Sequence, residues 1–136
     1  MNIVETEFWC LMVPPEWLVE QRDDIVCIVD QDHIGELAIT TLVREESQQD
    51  PIEIDRLASA ESPEIYQWVR ATCGAFSGVT GHFEEEENAV KEWYLSYGAA
   101  LLYVTYICDK EDAGMDEAAV DEILSTLVLG DAISDS

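Results

Sequence analysis

The sequence predicts an α+β domain: a mostly antiparallel sheet of about six strands flanked by helices, with its elements in the order βββαβββα. Three observations lead to this class. The run over residues 100–108 is apolar on both alternating sets, Ala100/Leu102/Val104/Tyr106/Cys108 and Leu101/Tyr103/Thr105/Ile107, so neither face of that strand suits water. It belongs in the middle of the sheet, with cover on both sides. The aromatic and β-branched runs over 92–97 and 100–108 flank Gly98 and read as a β-hairpin. Two stretches with a period near 3.6, one on each side of that hairpin, supply the covering helices.

In chain order, residues 4–13 alternate Phe8/Cys10/Met12 against Trp9/Leu11/Val13 and form the first strand. Pro14-Pro15 ends it, because proline cannot donate to a ladder, and Trp17 folds back to plug the end of the sheet. Residues 25–29, wholly apolar, make the second strand. The Asp- and Gly-bearing segment 30–35 is a hairpin loop into the third, over 36–43. After a polar loop over 44–50, Asp50 caps and Pro51 starts a helix whose weak apolar face runs through Ile52, Ile54, Leu57 and Ala58 to Ala60. Ser62-Pro63-Glu64 restarts the helical pattern, with Ile65, Trp68, Val69 and Thr72 at helical spacing and Gly74 as C-cap. Residues 75–83 return to strand composition. Glu84, Glu85, Glu86 and Glu87 cannot all be buried and mark the exposed tip before the first strand of the Gly98 hairpin. Past a loop over 109–114, Asp116 caps a closing helix with Val120, Ile123, Leu124, Leu127 and Val128 on one face, and Gly130 ends it. The domain covers residues 1–130, and 131–136 form a flexible tail.

At 136 residues the chain suits one domain, large enough to bury a core without metal or disulfide staples. Thirty acidic residues against six basic ones give a formal net charge of -24. Such a surface repels phosphate, so nucleic acid is excluded as a partner. It attracts a basic protein partner, with an association rate that falls with salt. Solubility alone, or adaptation to a salty cytoplasm, is the alternative account of the charge. No apolar run reaches the roughly 18 residues of a membrane span. The first residues lack the basic start and apolar core of a signal peptide, so a cytoplasmic location without membrane insertion is expected. Cys10, Cys27, Cys73 and Cys108 form no C-x-x-C pair and sit among apolar neighbours, as reduced small hydrophobes do.

Chemical motifs are sparse. Asp30-x-Asp32-x-Ile34-Gly35 opens like a calcium loop, but Ile34 at the fifth position and Thr41 at the twelfth supply no ligand. No Lys-Ser/Thr follows Gly74, Gly78 and Gly81, and their spacing is not that of a nucleophile elbow. His82 with Ser77 or Cys73 is the catalytic alternative, a small hydrolase. With no catalytic motif, cofactor motif or metal-ligand set besides, a non-catalytic protein is expected. The aromatic residues exceed what one sheet face needs. Trp17, Trp68, Tyr94 and Tyr97, together with Glu84, Glu85, Glu86 and Glu87, are therefore the candidate interaction residues, aromatic anchors ringed by carboxylates.

The pattern Phe8-x-x-x-x-Val13-Pro14-x-x-Trp17, the hairpin around Gly35, the run Trp93-x-Leu95-x-x-Gly98-x-x-Leu101-Leu102-Tyr103-Val104-Thr105-Tyr106 and the amphipathic closing helix together resemble the PsbP-like α/β/α sandwich superfamily. That superfamily includes photosystem extrinsic subunits, a Ran-binding release factor and small bacterial proteins, among them chaperones for secreted effectors. The resemblance spans most of the chain, implies the sandwich fold and carries over no site residue. With the charge and size, it leads us to expect a protein-interaction domain, a chaperone or adaptor for a secreted effector. An immunity protein against a basic toxin and a small ligand-binding module are the alternatives, and the same surfaces are compatible with a homodimer.

Overall fold

A computed structural model describes residues 2–43, 54–97 and 100–130. Its elements are β1 (Asn2–Glu5), β2 (Trp9–Val13), β3 (Leu18–Arg22), β4 (Ile25–Val29), β5 (Gly35–Val43), α1 (Ile54–Glu61), β6 (Val69–Cys73), β7 (Phe76–Glu85), β8 (Asn88–Tyr97), β9 (Ala100–Asp109), α2 (Glu117–Ser125) and β10 (Val128–Leu129). Seven strands form one antiparallel sheet in the order β3-β4-β5-β9-β8-β7-β6, and β1-β2-β10 form a second, smaller one. The α+β class, the antiparallel sheet and the central place of residues 100–108 stand as expected. The order of elements is richer than βββαβββα, for four local reasons.

The run over 4–13 is two strands. The chain reverses at Thr6, whose hydroxyl donates to the Trp9 carbonyl at 2.8 Å and accepts from the Trp9 amide at 3.0 Å. A side-chain turn of this kind leaves no break in the alternation. Leu18–Arg22 is an edge strand, polar on its last three residues, and turns into β4 at Asp23-Asp24 with Asp23 at φ 50. Ser62-Pro63 does not restart a helix. Pro63-Glu64 form a turn, residues 65–68 pass over Gly81 of β7 without regular structure and 69–73 are β6, so the helical spacing of Ile65, Trp68, Val69 and Thr72 is coincidental. Gly81 makes room for that passage, since a Cβ there would lie 2.5 Å from Ile65 Cγ2. Finally, α2 stops at Ser125, where the Thr126 hydroxyl takes the Ile123 carbonyl at 2.6 Å, and Val128 belongs to β10. Gly130 therefore lies beyond the helix; its amide donates to the Phe8 carbonyl at 2.9 Å. The caps Asp50 and Pro51, the loop over 44–50, the turn at Gly98 and the tail over 131–136 lie outside the described residues.

Alternation along β9 sets the layers. Ala100, Leu102, Val104, Tyr106 and Cys108 enter the main core, which α2 and the β1-β2-β10 sheet close with Trp9, Leu11, Val13, Val120, Ile123, Leu124 and Leu127. On the opposite face, α1 packs on β7 and β8, and Ile54, Ala58, Val79, Tyr94 and Leu101 form a second cluster. Among the described residues that cover stops short. Leu101 is buried, Tyr103 and Thr105 are half-buried, and Ile107 is 43% exposed, so the expected cover of β9 on both faces is complete on one only.

Gly74 is the β6–β7 turn, not a helix cap. It sits at φ +60, and a Cβ would meet the Leu127 carbonyl oxygen at 1.9 Å. Gly74→Ala combines a left-handed backbone with a clash against main chain that cannot move aside, and we expect a loss of about 3 kcal/mol. Urea unfolding checks this; a change below about 1 kcal/mol contradicts the packing described.

Candidate functional site

On the core face of β7, β8 and β9, the residues nearest the 84–88 hairpin tip pass beyond the packed core and form the floor of a groove whose far wall is α2 and its lead-in. Its volume is about 320 Å³. Strand alternation places His82 and Glu84 from β7, Ala89, Lys91 and Trp93 from β8, and Tyr106 and Cys108 from β9 along it, while Ala113, Gly114, Glu117, Val120 and Asp121 face them. Trp93 and Val120 are buried and make the floor apolar, whereas Glu84, Glu117 and Asp121 are exposed and make the rim acidic.

The lysine ammonium of Lys91 stands 5.0 Å from the centre of the Trp93 ring and 3.8 Å from Glu117 Oε1. A cation over an indole face is held by the ring quadrupole, the more so where water is partly excluded. Outside the groove, Lys110 Nζ lies 3.7 Å from Glu84 Oε2. The two lysines of the chain are thus both paired with carboxylates of this rim.

Nucleophilic groups here are suppressed. Burial, then Asp112, Asp116 and Asp109, push the Cys108 thiol up, which disfavours the reactive thiolate. Burial pushes the Cys73 thiol to about 11, with Asp121 adding to the effect. Tyr106 is pushed far up by burial and by Asp116, whose carboxylate accepts its hydroxyl at 2.7 Å. Asp116 thus occupies the N-cap position of α2 without capping it. The arrangement of His82 with Ser77 or Cys73 does not form. Ser77 and His82 are five positions apart on β7, about 16 Å, and face opposite sides. Cys73 pairs with Phe76, still farther from His82.

Asp30, which opens the calcium-like segment, is buried and spent on the loop: its Oδ1 accepts the Ile34 amide at 2.8 Å. Burial holds Asp30 above the usual carboxylate range against the pull of that hydrogen bond, and Asp116 adds to the rise. A raised native value means the folded chain binds the proton more tightly, so stability from this site falls as pH climbs through the carboxylate range. Asp30→Asn keeps an acceptor for Ile34 and removes the charge, so it should be more stable than the parent at neutral pH, with the difference shrinking below pH about 4. Urea midpoints at the two pH values check the sign, and a less stable variant at neutral pH contradicts it.

Of the residues expected to bind, Trp17 and Tyr94 are buried in the two clusters. Trp68 is half-buried, meets Tyr94 edge-on at 5.7 Å, and among the described residues its indole N–H has no acceptor. Tyr97 is exposed against Phe76, across the sheet from Trp68. Glu84 to Glu87 form the tip of the β7–β8 hairpin, and only Glu84 reaches the groove. Glu117 and Asp121 went unnoticed because nothing in a local pattern brings an α2 face to β7. The signal that existed was the scarcity of lysine.

Neither a protein-family model nor a curated protein matches this chain. Solved structures do. A solution structure of a cyanobacterial PsbP protein (CyanoP) from Synechocystis superposes with a TM-score of 0.65 at 8% identity, covering 94% of this chain and 91% of that one. LpqN of Mycobacterium tuberculosis, described as involved in cell envelope biogenesis, gives 0.64 at 17% identity over 90% and 83%. A Bacteroides thetaiotaomicron crystal structure gives 0.64 at 16% identity over 89% of this chain and 44% of that one, so this chain spans less than half its length. The fold is PsbP-like.

Proposed function

We propose that the chain is a non-catalytic protein-interaction domain that takes a basic segment of a partner protein into the groove between α2 and β7–β9. The observation that carries this is the acidic rim of Glu84, Glu117 and Asp121 around the apolar floor at Trp93, on a chain whose net charge of -24 steers basic partners toward it. Raised thiol and phenol values favour binding over nucleophilic chemistry there. Within this reading, a chaperone or adaptor for a secreted effector and an immunity protein against a basic toxin differ in what carries the basic segment. A small-ligand module is the second reading, favoured by a volume of about 320 Å³, at the lower end of small-molecule pockets.

Titration with a hexa-arginine peptide at low salt tests the first reading. Amide shifts should concentrate on β7, β8 and α2, and the affinity should fall as salt rises. Glu117→Gln with Asp121→Asn removes two exposed rim charges and should weaken binding about tenfold. Equal affinity in that variant, or shifts confined elsewhere, overturns the proposal.

A further inference from the structure

We infer that Lys91 is an internal occupant of the seat for the partner's basic side chain, which the incoming arginine or lysine displaces. The inference rests on the reading above and specifies how the groove recognises its guest. A cation-binding seat needs an aromatic face, flanking carboxylates and partial shelter from water. All three are present around one point: Trp93 lies 5.0 Å from the Lys91 ammonium, Glu117 lies 3.8 Å from it, and the Lys91 side chain is about one quarter exposed, at 27%. The chain has two lysines among 136 residues, and one of them fills that point. Without Lys91, Glu117 and Asp121, one turn apart on α2, would face the groove with no cation beside them. Lys91 relieves their repulsion in the free protein.

The fit is also loose enough to be reversible. The Lys91–Glu117 separation is at the outer limit of an ion pair, Glu117 is 62% exposed, and Asp121 forms no ion pair among the described residues. A guest guanidinium presents a planar fork that can stack on Trp93 and meet a carboxylate in two places, where the lysine ammonium offers a point charge. Lys91 can swing its ammonium toward solvent on its four-carbon stem while the stem stays packed. A competing internal cation makes the groove selective: weakly basic segments do not pass the cost of displacing it, and arginine-bearing ones do. His82, the cross-strand neighbour of Lys91, lines the same groove.

The test compares the parent with Lys91→Met, which keeps the stem and removes the charge, using the hexa-arginine peptide. Without the internal competitor the peptide should bind about tenfold tighter. Lys110→Met, which releases the rim carboxylate of Glu84 from a lysine outside the groove, should strengthen binding by about threefold or less. A second readout is independent of any variant: peptide binding to the parent should make the Lys91 amine react faster with an acetylating reagent, as a displaced side chain would. Equal or weaker binding by Lys91→Met, or protection of Lys91 from acetylation, overturns this inference, and if Glu117→Gln still weakens the peptide the groove reading stands without it. No binding by either parent or Lys91→Met overturns both.

Discussion

Glu92→Ala should destabilise the protein by about 3 to 5 kcal/mol, the range found when one partner of a buried polar cluster is removed. Glu92 sits on β8 beneath α1, 5% exposed. Its Oε1 accepts the hydroxyl of Ser62, and the same Ser62 oxygen lies 2.9 Å from the Tyr94 hydroxyl. Tyr103 stands beside them, its ring centre 4.9 Å from that of Tyr94, and burial with the nearby Glu92 charge pushes its phenol far up. Deleting the carboxyl leaves the Ser62 hydroxyl with Tyr94 as its one remaining partner in an apolar cluster and frees the bend that follows α1, which Ser62 otherwise pins to the central sheet. Glu92→Gln retains an acceptor and should cost about 1 to 2 kcal/mol. Urea unfolding of the pair decides the matter: Gln keeps the volume, so equal losses would mean that a neutral acceptor does not replace the carboxylate and that the charged hydrogen bonds, not the cavity, govern the site.

Trp9→Ala should cost about 3 to 5 kcal/mol, a large share of the 5 to 15 kcal/mol that a typical domain holds in reserve. The ring is 0% exposed and joins the two sheets: Trp9 is on β2, and its indole N–H donates to Thr41 Oγ1 on β5 at 2.8 Å. Truncation opens a cavity between the layers and leaves the Thr41 hydroxyl without its donor. Trp9→Phe keeps most of the volume and should lose about 1 to 2 kcal/mol. Thermal and urea unfolding of both variants measure the difference, and a Trp9→Ala protein within about 1 kcal/mol of the parent would show that the small sheet is not held through this ring.

What could be read from the chain followed the strength of its periodic signals. The doubly apolar run at 100–108 announced a central strand because no other position in a sheet removes both faces from water, and the acidic string Glu84–Glu87 announced a turn because it had nowhere else to go. Edge strands were missed. Leu18–Arg22 and Val69–Cys73 bury little, so selection leaves them without a clean alternation. Ser62 misled because its hydroxyl, which suits a helix cap, is used instead by Glu92 and Tyr94 across the sheet. The groove was illegible for a related reason: His82, Lys91, Glu117 and Asp121 are each unremarkable alone, and only the return of α2 over β7–β9 brings them together.

The β1-β2-β10 sheet ties Val128 to Cys10 and Leu129 to Trp9, partners from opposite ends of the described chain. Bringing such distant residues together carries the largest loop-closure entropy among the described strand pairings, so β10 joins the β1-β2 hairpin only once the intervening elements are in place. With two residues in β10, it is also the part most readily released. The peptide hydrogens over 128–130 should trade for deuterium during brief local openings, while those of β9, paired along their length with β5 and β8, hold out until the whole domain unfolds.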